Sequence, residues 1–432
     1  MTKKVYVLGA YGLIGSACVN QLLRNGFTVV GVGRSSRSAH KCSPKITWHF
    51  SDISKTSVNE WAELLSDADV IVNAAGALQD GARDSLEAIH VTLIANITRA
   101  IEGRDVTFIQ ISAAGVNENA PTEFMRSKAR GDNVLRNSPL SWQIFRPTLV
   151  ISRDAYGGTA ILRAAAAFPV ANLQIFPKTQ VQTVSIDDVA NAVCSAAKGL
   201  LPPCTVTDLT EENSQSFDEL KRKIRLWLGL PKWRYTLPIP NFAVWLLGRL
   251  ADCAGALGWR SPLRTNALQS LKNGIAGDAK TWQHHKHLSC RPLEETLSSM
   301  PATIQERWFA KLYLMLPLCI VSLSLFWLLS GIIGLYAISD AQQILSERGM
   351  SPTLSTFLVV VGAFADIALG TLVLFRRLSR LACLGMIALS TAYLFSSLLT
   401  APDLWLDPLG PMVKVVPSIV LAIVTLGILD ER

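Results

Sequence analysis

The sequence predicts an α/β domain with a doubly wound parallel sheet and a small second subdomain, followed by an all-α bundle of four transmembrane helices. Three observations support this fold class. Regularly spaced glycines follow an apolar run close to the N-terminus. Strand and helix patterns then alternate through the first half of the chain, which is typical of parallel sheets. From Leu312 onward the composition changes to long apolar segments, as in membrane spans.

The N-terminal stretch VYVLGAYGLIG predicts a strand, a tight turn and the start of a helix. Val5–Leu8 form the apolar run, and Gly9, Gly12 and Gly15 follow at a spacing of three. Glycines let the backbone approach a pyrophosphate closely, while free N–H groups at a helix N-terminus face the anion. The pattern therefore predicts a binding site for a phosphate-bearing ligand. A glycine-rich turn without a ligand is the alternative.

The second predicted strand, Thr28–Val32, ends where dinucleotide-binding folds select their coenzyme. An acidic residue near this position holds the ribose 2′-hydroxyl, whereas an arginine accommodates a 2′-phosphate. Arg34, supported by Arg37, therefore favours NADP(H) over NAD(H). The alternative is that both arginines are simply solvated in a polar loop.

Four further strands are predicted before residue 150, and polar or small residues follow them. In a doubly wound sheet the ligand lies beyond the carboxyl ends of the strands, so these residues are candidates for the site. We expect Asp52 to meet an adenine amino group and Ala74 to let the backbone pass close to the nucleotide. The strands and the residues after them are Thr47–Phe50 with Asp52, Asp69–Val72 with Ala74, Val106–Ile111 with Ser112, and Gln143–Phe145 with Arg146.

Together these segments resemble the extended and atypical short-chain dehydrogenase/reductases. The most similar group contains the nucleotide-binding accessory subunit of respiratory complex I and bacterial NAD(P)-binding proteins. The similarity runs in order over about residues 3 to 210 and includes GAYGLIG, NAAG, FMRSK, FRP and VSIDDV. It implies a Rossmann-like domain with these contacts: Gly9, Gly12 and Gly15 to the pyrophosphate, Arg34 to the 2′-phosphate, Asp52 and Ala74 near the adenosine, Lys128 to the nicotinamide ribose, and Ser112 near the substrate.

Position 124 departs from the pattern of active family members. Those members have a tyrosine four residues before the lysine, so that both side chains lie on one helix face. The lysine lowers the pKa of the phenol, which acts as acid or base. This chain retains Lys128 but has Phe124, which has no proton to give. Ser112 and Lys128 remain the predicted catalytic residues, and Ser127 or Tyr156 is a possible replacement for the missing hydroxyl.

Two functions follow from this resemblance. The retained FRP and VSIDDV segments slightly favour an NAD(P)-dependent oxidoreductase acting on a lipid-soluble carbonyl or quinone. Phe124 favours the alternative, a non-catalytic NAD(P)H-binding sensor or assembly module.

The C-terminal part predicts four membrane spans and resembles the DoxX-like membrane domain. Arg376, Arg377 and Arg380 lie between the second and third spans, which places that loop in the cytosol. We therefore expect an inner-membrane protein with its N-terminal domain and C-terminus in the cytoplasm. Asp366, inside the second span, is either a functional group or a structural hydrogen-bonding partner. The predicted spans are Leu312–Ser339, Leu354–Phe375, Leu381–Ala401 and Met412–Leu429.

The predicted domains are residues 1–210, the coenzyme-binding domain; 211–305, a substrate-side cover; and 306–432, the membrane domain. In the cover, Asn241–Leu257 reads as an amphipathic helix, either packed over the substrate domain or lying on the membrane surface.

Charge and cysteine content limit the possible partners. The net charge is +8, and the whole basic surplus lies before Leu312, where 35 Lys and Arg face 26 Asp and Glu, which favours anionic membrane lipids or phosphorylated ligands. No dense Lys/Arg run or nucleic-acid motif occurs, so nucleic acid is not an expected partner. The eight cysteines have no paired spacing, which is typical of a reducing compartment. A tract with His284, His285, His287 and Cys290 lacks a second ligand cluster, and we predict no metal site there.

Overall fold

The structure is a computed structural model that describes residues 2–42, 45–78, 80, 85–259, 261–284, 289–408 and 410–429. The chain divides into two compact units. The α/β unit comprises Met1–Arg249 and Pro262–Ala310, and the helical unit comprises Leu250–Ser261 and Lys311–Arg432.

Seven strands form one sheet in the order β11-β6-β5-β4-β1-β2-β3, and all neighbours pair in parallel. This order confirms the predicted doubly wound, Rossmann-like sheet. Its direction reverses between β1 and β4, where such folds bind their ligands. The described residues form thirteen strands, seven of them in this sheet and six in three two-stranded sheets. They are β1 (Lys4–Leu8), β2 (Thr28–Gly33), β3 (Thr47–Phe50), β4 (Val70–Asn73), β5 (Thr107–Ile111), β6 (Ser141–Pro147), β7 (Leu149–Ile151), β8 (Ala171–Gln174), β9 (Gln180–Val181), β10 (Thr183–Ser185), β11 (Thr205–Leu209), β12 (Gln215–Ser216) and β13 (Tyr235–Pro238).

The α-helices alternate with the strands in the α/β unit and dominate the helical unit. They are α1 (Leu13–Arg24), α2 (Ser36–Cys42), α3 (Val58–Leu64), α4 (Leu93–Ala100), α5 (Glu123–Arg136), α6 (Gly158–Ala167), α7 (Ile186–Ala197), α8 (Phe217–Trp227), α9 (Asn241–Ala256), α10 (Thr265–Lys272), α11 (Lys280–Gln283), α12 (Leu293–Ser298), α13 (Ile304–Leu312), α14 (Met315–Tyr336), α15 (Ile338–Ser346), α16 (Pro352–Leu372), α17 (Ser379–Thr400) and α18 (Val415–Leu429).

The sheet is buried on both faces, which explains why β1 is apolar throughout. Val5 and Val7 pack in one hydrophobic cluster with residues of α1 and α7. Tyr6 and Leu8 point to the other face and pack with residues of α3, α4 and α5. Successive residues of a strand point to opposite faces, so a strand covered by helices on both sides needs apolar residues at every position.

The sequence predicts one long amphipathic helix over residues 84–102, but the helical stretch in the structure is shorter and irregular. Residues 81–84 lie outside the described part of the chain, and a π-helical turn spans Ala88–Thr92 before α4 begins. A Cβ atom at Gly131 of α5 would lie 1.9 Å from the carbonyl oxygen of His90. The π turn therefore lies where two helices make an unusually close approach, a contact that helical periodicity does not predict.

A second cluster forms the small subdomain, in which α6, α8 and α12 pack together. The buried carboxylate of Glu211 joins three segments there. It accepts hydrogen bonds from the backbone and hydroxyl of Thr183 at 2.8 and 2.6 Å, and from the Leu293 backbone N–H at 2.9 Å. Buried charge is stable only when hydrogen-bonded in this way, so Glu211 holds the chain of this subdomain together.

Among the described residues, three helical stretches are long and apolar enough to cross a membrane: Ile304–Tyr336, Pro352–Leu372 and Ser379–Thr400. The fourth predicted span, Met412–Leu429, corresponds to a shorter apolar helix, Val415–Leu429, with 15 described residues, so that it crosses a membrane stays a prediction. A turn that follows Gly410 and Pro411 sets the start of this helix at Val415.

The helices α14 and α16 pack closely through small residues. A Cβ atom at Gly331 would lie 2.5 Å from the carbonyl oxygen of Ala363, so a larger residue would separate the helices. Between them, Asp366 accepts a hydrogen bond from Ser330 at 2.7 Å, and Tyr393 of α17 donates a weaker one at 3.4 Å. Asp366 thus forms the interhelical hydrogen bonds that were one of its two predicted roles.

Replacing Glu211 by Ala should lower the free energy of unfolding by about 2 kcal/mol, because three buried donors lose their acceptor. The neighbouring Glu212 is exposed, so Glu212→Ala should change it by less than about 0.5 kcal/mol. Thermal unfolding of both variants in detergent checks this. Equal effects of the two substitutions would contradict the role of Glu211.

Candidate functional site

The glycine turn after β1 is shaped so that side chains do not fit. Gly9 has a φ of +69°, and a Cβ atom there would lie 2.9 Å from the Cα of Ala75. A Cβ atom at Gly15 would lie 2.2 Å from the carbonyl oxygen of Gly9. Gly12 is the N-cap of α1, and its N–H donates to Gly9 at 2.9 Å. The turn therefore brings the start of α1 against the end of β4.

The N-terminus of α1 presents donors to this turn. The first helical hydrogen bond runs from Ser16 to Gly12, so the N–H groups of residues 13–15 have no partner within the helix. No acidic residue occurs in the first turn of the helix. Free N–H groups and the positive end of the helix dipole make this a site suited to an anion such as a pyrophosphate.

Tyr11 connects the glycine turn to the end of β2. Its hydroxyl accepts a hydrogen bond from the backbone N–H of Arg34 at 3.1 Å. Its ring covers Gly33, where a Cβ atom would lie 2.3 Å from the tyrosine, and it stacks on Trp48 with ring centroids 6.2 Å apart. Tyr11 was not predicted as a site residue. The position of Tyr11 between Gly9 and Gly12 in the sequence is the signal that could have indicated it as a site residue.

Asp52 and Arg34 lie on neighbouring loops, beyond β3 and β2. Burial opposes ionisation of Asp52, but hydrogen bonds from Ser54 and the charge of Arg34 hold the pKa of this carboxyl below its ordinary value. Asp52 is therefore an ionised acceptor at the edge where the adenosine is expected.

Ala74 lies at the end of β4, directly against the glycine turn. A Cβ atom at Gly9 would be 3.1 Å from its carbonyl oxygen, and its N–H donates to Leu8 at 3.1 Å. The preceding Asn73 is buried and donates to Gln110 at 2.8 Å, which ties β4 to β5 at this edge. The structure thus brings Ala74 together with the predicted glycines.

Lys128 lies on α5, which begins after the N-cap Thr122. The lysine is 6% exposed and donates to the carbonyl oxygen of Ile111 at 3.0 Å. Its ammonium lies 5.7 Å from the ring centroid of Phe124. Burial lowers the pKa of Lys128 to about 8, although the charge of Asp132 opposes the shift. A Cβ atom at Gly76 would be 4.0 Å from Nζ, so the lysine also lies near the segment after β4.

Ser112 is buried, and its hydroxyl donates to Asp132 at 2.8 Å. The same carboxylate oxygen accepts two hydrogen bonds from Arg146, at 2.9 and 3.2 Å. Asp132 was missed from the sequence. It follows Lys128 by four residues and therefore lies on the same face of α5, a spacing that could have indicated it.

Burial raises the pKa of Asp132, while Arg146 and Ser112 oppose the rise. The hydroxyl hydrogen of Ser112 is directed to Asp132, inside the protein. That Ser112 contacts a substrate stays a prediction.

His90 forms a hydrogen-bonded chain with Ser127, one proposed replacement for the missing tyrosine hydroxyl. The Ala77 N–H points at Nε2 of His90 at 3.4 Å, so we assign the ring proton to Nδ1, which lies 2.8 Å from Ser127. Ser127 in turn donates to the carbonyl oxygen of Phe124 at 3.1 Å. Its hydroxyl is thus engaged inside α5. Tyr156, the other proposed replacement, is 61% exposed.

The VSIDDV segment also has structural partners. Arg291 donates to the side chains of Asp187 and Asp188 at 3.2 and 3.1 Å, and to Ser185 at 2.9 Å. These contacts hold the start of α7 to the segment before α12.

The predicted histidine tract lies partly outside the described residues, which exclude His285 and His287. Within the described ranges, no group of three or more His, Cys, Asp or Glu side chains is placed to hold a metal ion. Burial raises the pKa of Cys290 to about 12, so this thiol stays protonated.

The buried state of His90 predicts a pH dependence of stability. Burial, with the charge of Lys128, lowers the pKa of His90 from 6.5 to about 3. Below pH 6.5 the unfolded chain therefore binds a proton that the native state does not, and stability falls by up to about 1.4 kcal/mol per pH unit. Thermal unfolding between pH 7 and pH 4 should show a shallower loss for His90→Gln than for the wild type.

The same substitution at the exposed His49, His49→Gln, is the matched control against which the change of slope at His90 is measured. A His90→Gln slope equal to that of the wild type would show that His90 titrates normally in the folded protein.

Two families match separate parts of this chain. Residues 9–198 match the NAD(P)H-binding family, and residues 324–423 match the DoxX-like family. The mitochondrial NADH-ubiquinone oxidoreductase 40 kDa subunit of Neurospora crassa is 31% identical over 150 residues, which are 33% of this chain and 39% of that protein. An uncharacterized chloroplastic protein of Arabidopsis thaliana is 24% identical over 225 residues, which are 46% of this chain and 72% of that protein. The chain thus spans about two fifths of the Neurospora protein.

Solved structures share the fold of the α/β unit. The Bordetella bronchiseptica enzyme WbmH, in complex with NAD⁺, has a TM-score of 0.52 at 19% identity, over 69% of this chain and 97% of WbmH. WbmG from the same organism, in complex with NAD, has a TM-score of 0.53 at 14% identity, over 69% of this chain and 93% of WbmG. The resemblance predicted from the sequence is confirmed at this level: residues 9–198 are similar to the NAD(P)H-binding family and have a Rossmann-like fold, and residues 324–423 are similar to the DoxX-like family, with apolar helices that indicate membrane association.

Proposed function

We propose that this protein is a membrane-anchored binder of NADP(H). The observation that carries the proposal is the turn of Gly9, Gly12 and Gly15, where side chains do not fit and the N–H groups of residues 13–15 have no acceptor within α1. A pyrophosphate fits such a turn because the backbone can approach it closely. Ala74 lies against the same turn, and Asp52 lies beyond the neighbouring strands, where the adenosine would extend.

Arg34 supports NADP(H) over NAD(H). Its backbone N–H donates to the Tyr11 hydroxyl at the end of β2, and the residue is exposed there. No acidic residue occurs between Gly31 and Arg37 to hold a 2′-hydroxyl instead. A 2′-phosphate would pair with the guanidinium, which suits phosphate geometry.

The interior contacts favour a coenzyme that is bound without turnover, as in a sensor or assembly module. Phe124 has no hydroxyl, Ser112 donates to Asp132, and Ser127 is engaged with His90 and Phe124. The tyrosine hydroxyl of active family members is therefore missing at position 124, and the hydroxyls of Ser112 and Ser127 are both engaged inside the protein.

Hydride transfer to a lipid-soluble carbonyl or quinone is the second candidate. The lowered pKa of Lys128 and its position near Gly76 favour it, since the amine is retained where relatives contact the ribose. Membrane association would bring such substrates close. The Neurospora relative is a subunit of an NADH-ubiquinone oxidoreductase, which supports the quinone class. In this function the proton for the product oxygen comes from solvent.

We place the protein in the cell inner membrane with the α/β unit in the cytoplasm. Arg376, Arg377 and Arg380 follow the membrane-spanning α16 and precede α17, and positive loops stay on the cytoplasmic side.

Replacing Arg34 by Ala should weaken NADPH binding by about 10-fold to 100-fold, the effect of losing one charge-assisted phosphate contact. NADH binding should change little. Arg24→Ala, another exposed arginine at the end of α1, serves as the control and should affect neither coenzyme. Titration of the full-length protein in detergent measures all four affinities. An equal loss for NADPH and NADH would argue against a 2′-phosphate contact.

The two candidate functions differ in turnover. The wild type should bind NADPH but not oxidise it with a panel of quinones and aldehydes, whereas oxidation would establish the second candidate. Gly15→Ala should abolish binding, because its Cβ would meet Gly9 at 2.2 Å. Gly427→Ala is the matched control, since a Cβ at Gly427 has no neighbour within 4 Å. Binding that survives Gly15→Ala would place the coenzyme elsewhere.

A further inference from the structure

The helix α9 buries only a narrow stripe against the protein. Val244, Gly248 and Ala251 are buried and recur at the spacing of one helix face. A Cβ atom at Gly248 would lie 3.2 Å from Thr265, so this face is in close contact with α10. The buried stripe therefore packs against the protein without using the other faces of α9.

The opposite face of α9 is exposed and apolar. Phe242 is 72% exposed, Trp245 and Leu250 are each 60% exposed, and Leu246 is 48% exposed. Arg249 carries the single charge on this face. A helix on the surface of a soluble protein has polar residues there, and a contiguous apolar patch marks an interaction site.

The residues after α9 indicate which partner covers this face. The indole of Trp259 donates to the carbonyl oxygen of Leu374 at 2.6 Å, and the N–H of Arg376 donates to Leu257 at 3.1 Å. Leu374 and Arg376 directly follow α16, one of the membrane-spanning helices. The chain leaving α9 is thus fixed at the end of a span, where the bilayer meets water.

Along the helix, the exposed face of α9 ends a few residues before Leu257, where the chain is held to the end of α16. Leu250 precedes Leu257 by seven residues, or about 10 Å of helix rise. Arg249 lies with its guanidinium 5.6 Å from the ring centroid of Trp245. Tryptophan beside arginine is typical of helices at membrane interfaces, where the indole sits at the headgroup level and the cation reaches anionic lipid.

We propose that α9 is an interfacial helix whose exposed face, Phe242, Trp245, Leu246 and Leu250, lies in the boundary between headgroups and acyl chains of an anionic bilayer. Its apolar residues are buried in lipid, and Arg249 contacts the headgroups. This surface is separate from the coenzyme site.

The test uses the full-length protein in nanodiscs of phosphatidylcholine and phosphatidylglycerol. The accessible cysteines Cys42, Cys204 and Cys253 are replaced by Ser, and a fluorescent label is attached at Leu246→Cys. Leu226→Cys on α8 is the matched control, because Leu226 is a leucine of similar exposure, 57%. Lipids with spin labels near the headgroup should quench the label at position 246 several-fold more than the label at 226. Aqueous iodide should show the reverse order.

Two results would overturn the proposal. Equal quenching by iodide at both positions would show that the face of α9 lies in water. Protection of position 246 from both quenchers would show that a second copy or another protein covers it. NADPH titration of the same labelled proteins reports the coenzyme site independently, so a failure of the proposed function and a failure of this proposal are distinguishable.

Discussion

The close approach between the glycine turn and the end of β4 is the constraint on which the candidate site depends. A Cβ atom at Gly15 would lie 2.2 Å from the carbonyl oxygen of Gly9, and a Cβ atom at Gly9 would lie 2.9 Å from the Cα of Ala75. This contact fixes α1 over the reversal point of the sheet, so that its N-terminus faces the crevice. Without it, the donors of α1 and the loops after β2 and β3 would not meet around one ligand.

A network of buried polar groups lies behind that crevice and determines what chemistry it can support. Lys128 and Asp132 are buried on one face of α5, and each is held by partners of the protein itself: Ile111 for the lysine, Ser112 and Arg146 for the aspartate. Buried charges need such partners, because desolvation is costly. The partners that stabilise the network also occupy the groups that a Tyr–Lys mechanism would use, which is why binding is better supported than turnover.

The helices of the helical unit pack in the way that is typical of membrane proteins. Small residues at Gly331 and Gly370 let α14 and α16 pack closely, and the carboxyl of Asp366 is satisfied by hydroxyls of two neighbouring helices. Its apolar surface needs no protein partner if lipid surrounds it.

The sequence by itself determined the order of strands and helices, the glycine turn and the change to a membrane-spanning composition, because these depend on local periodicity and on residues adjacent in the chain. It also indicated the departure at Phe124. Only the tertiary structure decided where buried polar groups find partners. His90 with Ser127, Asp132 with Ser112, and Glu211 with Leu293 pair residues that are 20 to 82 positions apart. The start of the last apolar helix at Val415 was likewise set by the turn before it, since hydropathy measures how apolar a segment is and not where its hydrogen bonds begin.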